Sequence, residues 1–193
     1  MTLSLYKGQK ISLAKVVPGL TEVFIGLGWD VNISDNGYDF DLDASAFLLG
    51  SNDKLVSDYH FVFYNNLVSP DLHKSVEHAG DNLTGSGNGD DEVIKVNLKL
   101  VPTEVEKIVI TVTIHEALER QQNFGQVENA FVRVVNPKDN REVVRYNLSE
   151  DFSTETAITM AELYREGKGE WKIQAIGVGS QGGLQGLLNR YQG

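Results

Sequence analysis

Three aspartates alternate with apolar residues in one short stretch of the chain: Asp39, Asp41 and Asp43. If that stretch is extended, the carboxylates lie on one face and Phe40 and Leu42 on the other, because successive side chains of a strand point to opposite faces. Neighbouring carboxylates are then about 7 Å apart, at a rise of about 3.3 Å per residue. Like charges held so close raise each other's pKa values unless they share a cation. The stretch therefore predicts a metal site.

Residues 80–92 form a second acidic segment, which contains four glycines, two asparagines and four acids. The glycines allow tight turns that point backbone carbonyls inward, while the acids and amides supply further oxygen atoms. This mixture suits Ca²⁺, which takes about six to eight oxygen ligands in flexible geometry, better than Mg²⁺, which prefers a tighter octahedron. Since the segment contains no His or Cys, a transition metal fits it less well. The segment predicts calcium as the cofactor.

Two familiar loop motifs do not fit these acidic segments. An EF-hand that begins at Asp39 needs Gly where Ala44 stands and Glu where Gly50 stands. The glycine spacing within residues 80–92 differs from G-x-G-x-x-G, and the acids at its end would repel a phosphate. Acidic loops that are merely solvated remain an alternative to a metal site.

Enzyme motifs are poorly matched as well. The stretch that begins at His115 resembles the start of a zinc protease helix, but Glu119 replaces the second histidine. No G-x-S-x-G elbow is present, and the four histidines are scattered singly along the chain. Asp41 and Asp43 could in principle form a glycosidase pair, yet so dense a cluster binds a cation more readily than it keeps one acid protonated. We therefore predict that the protein is not an enzyme.

The negative charge is confined to two parts of the chain. The net charge is −10, from 27 acidic and 17 basic side chains. Seven acids lie between Lys15 and Lys54 and five between Lys74 and Lys95, with no Lys or Arg inside either interval. The other 15 acids are balanced by the 17 bases. This distribution predicts cations as ligands; it argues against nucleic acid as a partner and against intrinsic membrane association.

Cysteine is absent, which excludes disulfide scaffolds and thiolate metal sites. The first 20 residues contain three lysines and no long apolar run. No stretch approaches the roughly 20 apolar residues that a membrane span needs. These observations predict a cytoplasmic location.

Short strand-like runs with turn residues between them dominate the pattern. We predict nine strands, at residues 10–16, 22–29, 39–49, 60–65, 92–98, 107–114, 130–135, 142–147 and 171–177. Ser153 or Thr154 can cap a helix over residues 155–166, a short helix is expected over 184–191, and residues 117–122 can form a further turn or two. The expected fold is mainly β, an antiparallel β-sandwich with a few short helices, in a single domain over residues 1–193.

Several motifs together resemble the TerD family of bacterial tellurite-resistance and general stress proteins. They are Leu3-Ser4-Leu5, Gly26-Leu27-Gly28-Trp29-Asp30, Phe40-Asp41-Leu42-Asp43-Ala44-Ser45, Phe63-Tyr64-Asn65-Asn66, the segment 80–92, Asn123-Phe124-Gly125-Gln126-Val127 and Glu162-Leu163-Tyr164-Arg165. The resemblance extends from Thr2 to about Leu188, and the segment 80–92 is its most specific part. It implies a β-sandwich that binds Ca²⁺ at two neighbouring sites and has a role in stress or tellurite resistance.

The acidic segments and the resemblance together give the candidate ligands. The carboxylate candidates are Asp41, Asp43, Asp81, Asp90, Asp91 and Glu92. Asn82 is a candidate oxygen or carbonyl donor. Second-tier candidates, each at the end of a strand-like run, are Asp30, Asp39, Asn65 and Glu116.

The expected function is that of a calcium-binding stress-response protein associated with tellurite resistance, which holds about two Ca²⁺ ions and acts by binding. One alternative is an adaptor that docks on a partner protein or membrane when calcium neutralises its acidic edge. Another is a cryptic enzyme or a direct handler of tellurium oxyanions, which the negative charge and the lack of thiols both disfavour. Protein partners in a stress-response complex are expected, and the sequence leaves the oligomeric state open.

Overall fold

The computed structural model describes residues 2–30, 40–80, 90–147, 152–167 and 169–193, and these residues form two six-stranded sheets. In spatial order, sheet A consists of β1 (Leu3–Ser4), β10 (Arg141–Asn147), β9 (Glu128–Asn136), β3 (Glu22–Asp30), β7 (Glu92–Asn97) and β6 (Val76–His78). Sheet B consists of β2 (Lys10–Ser12), β12 (Glu170–Ser180), β11 (Ala157–Glu166), β8 (Lys107–Ile114), β4 (Leu42–Leu49) and β5 (Phe61–Val62). Neighbouring strands are antiparallel, apart from the parallel pair β1 and β10. The predicted mainly β fold is confirmed.

The two sheets enclose one large apolar core, as the period-two pattern predicts. On β3, Val23, Ile25 and Leu27 are buried in this core, while the residues between them face outward. Sheet B contributes residues such as Ile110 and Ile158 to the same cluster. Each such side chain stabilises the fold by about 1.5 to 3 kcal/mol relative to an exposed position, so the core holds the sheets face to face.

Two short α-helices accompany the sheets in the described residues. Helix α1 (Leu13–Val16) begins at Ser12, whose hydroxyl accepts a hydrogen bond from the Lys15 backbone N–H at 3.4 Å. Helix α2 (Gly183–Tyr191) confirms the predicted C-terminal helix. Single 3₁₀ turns occur at Asp58–His60 and Phe124–Gln126. In the described part of the chain, no helix is long and apolar enough to cross a membrane.

Helix α2 covers the outer face of sheet B. Leu187 and Tyr191 of α2 join a second apolar cluster whose other buried members come from the sheet: Phe47, Leu49, Phe61, Val109 and Ala157. Lys54 Nζ fixes the end of the helix, because it donates to the carbonyls of Arg190 at 3.0 Å and Gln192 at 2.7 Å. Sheet B is therefore packed on both faces.

The helix predicted over residues 155–166 is wrong, because most of this segment is strand β11 in the middle of sheet B. The register of β11 shifts between Thr159 and Ala161 on both sides, which marks a β-bulge. Consequently Ile158, Met160, Ala161 and Leu163 all point into the core. This spacing of two, one and two residues breaks strict alternation and imitates the apolar stripe of a helix.

Other elements differ less from the prediction. The strand expected over 10–16 divides into β2 and α1 after Ser12. The strands β1 and β6, of two and three residues, were not predicted. Residues 117–122 form hydrogen-bonded turns, in which the Gln122 N–H donates to the Ala117 carbonyl at 2.8 Å. Tertiary pairing decides the state of such short segments, because their own pattern is too brief to specify it.

Candidate metal centre

The first candidate carboxylates stand at the start of β4. Phe40 and Leu42 point into the core between the sheets, whereas Asp43 faces outward and lines a cleft, so the predicted alternation is confirmed here. Asp41 and Asp43 are 7% and 4% exposed. Asp39 lies outside the described residues. Two carboxylates are thus held at a rigid strand end with little contact to solvent.

Basic groups approach this pair at long distances. Asp43 Oδ2 lies 3.7 Å from His115 Nδ1, and Asp41 Oδ2 lies 3.8 Å from Arg120 Nη1. The turn after β8 carries both bases, and the Asp41 carbonyl accepts from the His115 N–H at 2.8 Å. Glu116 is in the same turn, with its carboxylate 3.0 Å from Arg120 Nη2. Contacts near 4 Å at a partly open surface are weak ion pairs.

The cleft beside Asp43 has a volume of about 350 Å³. Tyr64, His115 and Glu116 line it together with Asp43 and the start of α2. Asn65, a second-tier candidate, is exposed in the turn next to Tyr64. The structure therefore brings Asp41, Asp43 and Glu116 into one neighbourhood.

Asp91 stands in an environment that disfavours its negative charge. Its Oδ2 accepts from the Trp29 backbone N–H at 3.0 Å, and its own N–H donates to the Leu27 carbonyl at 2.8 Å. Burial raises the pKa of Asp91, and the negative charges of Asp90, Glu92 and Asp30 raise it further against that one hydrogen bond. Among the described residues, no basic side chain lies within ion-pair distance of Asp91. The carboxylate therefore has three acidic neighbours and, among the described residues, no base of its own.

Asp90 and Asp30 are two of the acids whose charge acts on Asp91. Asp90 forms a two-pronged ion pair with Arg133 on β9, with Nε 2.6 Å from Oδ1 and Nη2 3.1 Å from Oδ2. A Cβ atom at Gly26 would lie 2.1 to 2.4 Å from the Asp90 carboxylate, so glycine makes room for the pair. Asp30 is exposed at the end of β3 and accepts from Asn129 at 2.5 Å.

Glu92 links the two sheets. Its Oε2 lies 2.8 Å from His78 Nε2 and accepts from the Ala44 N–H at 3.3 Å. His78 Nδ1 accepts from the Gly80 N–H at 3.2 Å, which assigns the ring hydrogen to Nε2, 3.2 Å from the Ala44 carbonyl. Both backbone polar groups of Ala44 on β4 thus contact buried side chains from β6 and β7. We call this arrangement of Ala44, His78 and Glu92 the seam.

The described candidates form two groups at one end of the sandwich, which we call the acidic end. Asp43 and Glu116 line the cleft, and Asp41 is near them through Arg120. Asp30, Asp90, Asp91 and Glu92 lie where β3 meets β7. Asp81 and Asn82 lie outside the described residues. Within the described part, no three Asp, Glu or His side chains are arranged to hold a metal ion. The donors themselves are hard oxygens, the chemistry that Ca²⁺ prefers.

The sequence analysis did not identify the side chains that compensate these acids. Arg133 is 43 residues from Asp90, and its role depends on β9 lying next to β3. His78, one of the four singly scattered histidines, is buried in the seam. Only the strand pairing reveals these partners, because sequence distance gives no indication of them.

Two sheets with acidic side chains gathered at one end define the class, a β-sandwich with an acidic end. The chain belongs to the TerD family, since the TerD domain matches residues 1–191.

Named relatives cover nearly the whole chain. General stress protein 16U of Bacillus subtilis is 56% identical over 191 residues, which are 99% of this chain and 97% of that protein. Tellurium resistance protein TerD of Serratia marcescens is 54% identical over 191 residues, again 99% and 97%. The crystal structure of a Streptomyces coelicolor homologue of telluride resistance protein (TerD) has a TM-score of 0.67 at 21% identity, covering 88% of this chain and 96% of that one. At that identity the likeness concerns the fold.

Proposed function

We propose that this member of a tellurium-resistance and general stress protein family is a cytoplasmic calcium-binding protein that acts by binding and not by catalysis. It binds about two Ca²⁺ ions at the acidic end, as one domain over residues 1–193. The observation that carries the proposal is Asp91, a half-buried carboxylate with three acidic neighbours and no described basic partner. A divalent cation would offset both the burial and the repulsion that raise its pKa.

Asp71 shows how this protein satisfies an acid that needs no metal. Its carboxylate accepts from the Ser69 and Ser75 hydroxyls at 2.5 and 2.8 Å and from the backbone N–H groups of His73 and Ser75. Burial acts in the other direction, yet these hydrogen bonds leave the pKa of Asp71 lowered. Asp91 has one such donor. The contrast supports a cation as the missing counter-charge.

The group around the cleft supports a second ion. Asp41 and Asp43 are nearly buried, and the ion pairs that His115 and Arg120 form with them are 3.7 and 3.8 Å long. A divalent ion at carboxylate distance, about 2.3 to 2.6 Å, would interact more strongly than these contacts. The cleft leaves room for it on the outward side of β4.

The test is calcium titration calorimetry of chelator-treated protein with Mg²⁺ in the buffer. About two Ca²⁺ ions should bind per chain; Asp91→Asn should lose one and Asp43→Asn the other. Asp53→Asn is the matched control, because Asp53 is 71% exposed beside Lys107 and far from the acidic end. Absence of calcium heat in the unmodified protein, or equal loss in the control, would reject calcium binding.

A calcium-switched adaptor is a second candidate, favoured by one observation. Leu118 is 83% exposed and lines the same cleft as Asp43 and Glu116. An apolar side chain beside a charge-neutralised cleft can anchor a partner protein or membrane. Pull-down with calcium and with chelator tests this function. The expected result is calcium-dependent capture that Leu118→Ser abolishes, and capture indifferent to calcium would exclude it.

A further inference from the structure

At the opposite end of sheet B, three lysines surround one cleft. Lys10 on β2, Lys15 on α1 and Lys172 at the start of β12 line it, together with Tyr164 and Glu166 at the end of β11. We call it the lysine cleft. Its volume is about 390 Å³, within the usual range of small-molecule sites. Tyr164 pairs with the first residue of β8, and Thr113 near the other end of β8 pairs with Ala157, so the lysine cleft and the acidic end are well separated.

The lysine cleft is positively charged in a protein of net charge −10. Glu166 is the one acid among the described lining residues and forms an ion pair with Lys172. That hydrogen bond lowers the pKa of Glu166, and the charges of Lys10 and Lys15 act in the same direction. Among the described residues, Lys10 and Lys15 have no acid within ion-pair distance. The described part of the cleft therefore holds three lysines and one acid, an excess of positive charge.

Tyr164 supplies a further hydrogen-bond donor. Its ring lies 5.3 Å beneath Lys10 Nζ, and its hydroxyl oxygen is buried. Within the described part of the chain, this hydroxyl has no hydrogen-bond partner. A buried hydroxyl without a partner is costly, so an acceptor at this position would stabilise the protein.

We infer that the lysine cleft binds a phosphate-type oxyanion through Lys10, Lys15 and Lys172, with the Tyr164 hydroxyl as an additional donor. Ammonium groups bind such anions as point charges, and their flexible stems adapt to the group's position. Glu166 forms an ion pair with Lys172 when the anion is absent, and its carboxylate competes with the anion for that lysine. The apolar walls, Ile11 and Val16, leave room for an organic group attached to the phosphate.

The test titrates chelator-treated, calcium-free protein with inorganic phosphate and, separately, with phenyl phosphate, at constant ionic strength. Binding should saturate with a dissociation constant on the order of 1 mM or tighter. Lys10→Gln, Lys15→Gln and Lys172→Gln should each weaken binding about two- to fivefold, a typical range for exposed charge pairs. Glu166→Gln should tighten it by a similar factor, because it removes the competing carboxylate.

Lys95→Gln is the control for net charge, since Lys95 lies on sheet A over Phe24. Tighter binding of phenyl phosphate than of phosphate supports a phosphorylated small molecule as the ligand, and the reverse order supports the free ion. The inference is overturned if neither probe saturates, if Lys95→Gln weakens binding as much as the cleft variants, or if Glu166→Gln does not tighten it. Thermal melting of each variant confirms folding, and calcium titration of the same samples reports on the acidic end separately.

Discussion

The acidic end and the lysine cleft lie at opposite ends of sheet B and hold their charges in different ways. Asp43 and Glu92 are 4% and 1% exposed and are fixed on strands, whereas the ammonium groups of Lys10 and Lys15 stand on long exposed side chains. A cation with definite coordination needs oxygen atoms placed in advance, which strand ends provide. A phosphate-type oxyanion, whose charge is spread over several oxygen atoms, can be bound by flexible ammonium groups. If the two proposals hold, the rigid end binds the cation and the flexible end binds the anion.

The largest effect is expected at the seam, where the acidic end is also structural. Glu92→Ala removes a buried partner from His78 and from the Ala44 N–H. We expect the free energy of unfolding to fall by about 2 to 6 kcal/mol, because two buried donors each lose an acceptor at a cost of about 1 to 3 kcal/mol. Urea denaturation measures it, with Glu77→Ala on β6 as the control. If the free energy of unfolding fell equally in the two variants, the contacts of the seam would add no stability beyond that of an ordinary glutamate on β6.

Calcium should have the next largest effect on stability, and this effect should depend on the acidic end alone. A single site stabilises the folded protein by about 2.7 kcal/mol at a free Ca²⁺ of about 100 times its dissociation constant. For a chain of this size this raises the melting temperature by roughly 5 to 10 °C. Differential scanning calorimetry with calcium and with chelator measures the shift. Lys172→Gln should leave it unchanged, and a smaller shift in that variant would mean that the two ends are coupled.

Gly26→Ala should disturb the acidic end without removing a charge. The new Cβ would overlap the Asp90 carboxylate and force it away from Arg133. Overpacking of this kind costs about 1 to 3 kcal/mol. Denaturation of Gly26→Ala, Asp90→Ala and the double variant forms a thermodynamic cycle. If the two losses are additive, the close approach of Gly26 to Asp90 has no energetic role.

The smallest effects distinguish Asp71 from Asp91 in calcium-free protein. The lowered pKa of Asp71 means that its stabilisation is present above the ordinary value of 3.8 and is lost as pH falls through the folded pKa. The raised pKa of Asp91 means the reverse, since its contribution is present below 3.8 and is lost as pH rises through the folded pKa.

At pH 7, Asp71→Asn should therefore lower the free energy of unfolding and Asp91→Asn should raise it. Each change is expected to be about 1 kcal/mol or less, because solvent screens both groups. Urea midpoints of the two variants at pH 7, compared with the unmodified protein, measure the signs. A loss of stability in Asp91→Asn without calcium would contradict the repulsion inferred at this residue.

The sequence predicts the sheet architecture well and the site in part. The alternation of polar and apolar residues correctly predicted the two faces of β4, where Asp43 points outward and Leu42 points into the core. It failed at β11, because the bulge near Met160 places consecutive residues in the core. Alternation could not predict the partner of Asp90, because Arg133 is brought close to Asp90 only by the pairing of β9 with β3. Local periodicity specifies faces, whereas neighbours across a sheet depend on topology.

The seam also protects the protein against misassembly. Strand β5 pairs with Ala46 and Phe47 of β4, and within the described ranges no strand pairs with this edge of β4 before Ala46. Such an edge is a template on which a strand of another copy can add. At Ala44, His78 and Glu92 already occupy the backbone N–H and C=O that an incoming strand would need. The side chains that join the two sheets thus also close an edge to aggregation.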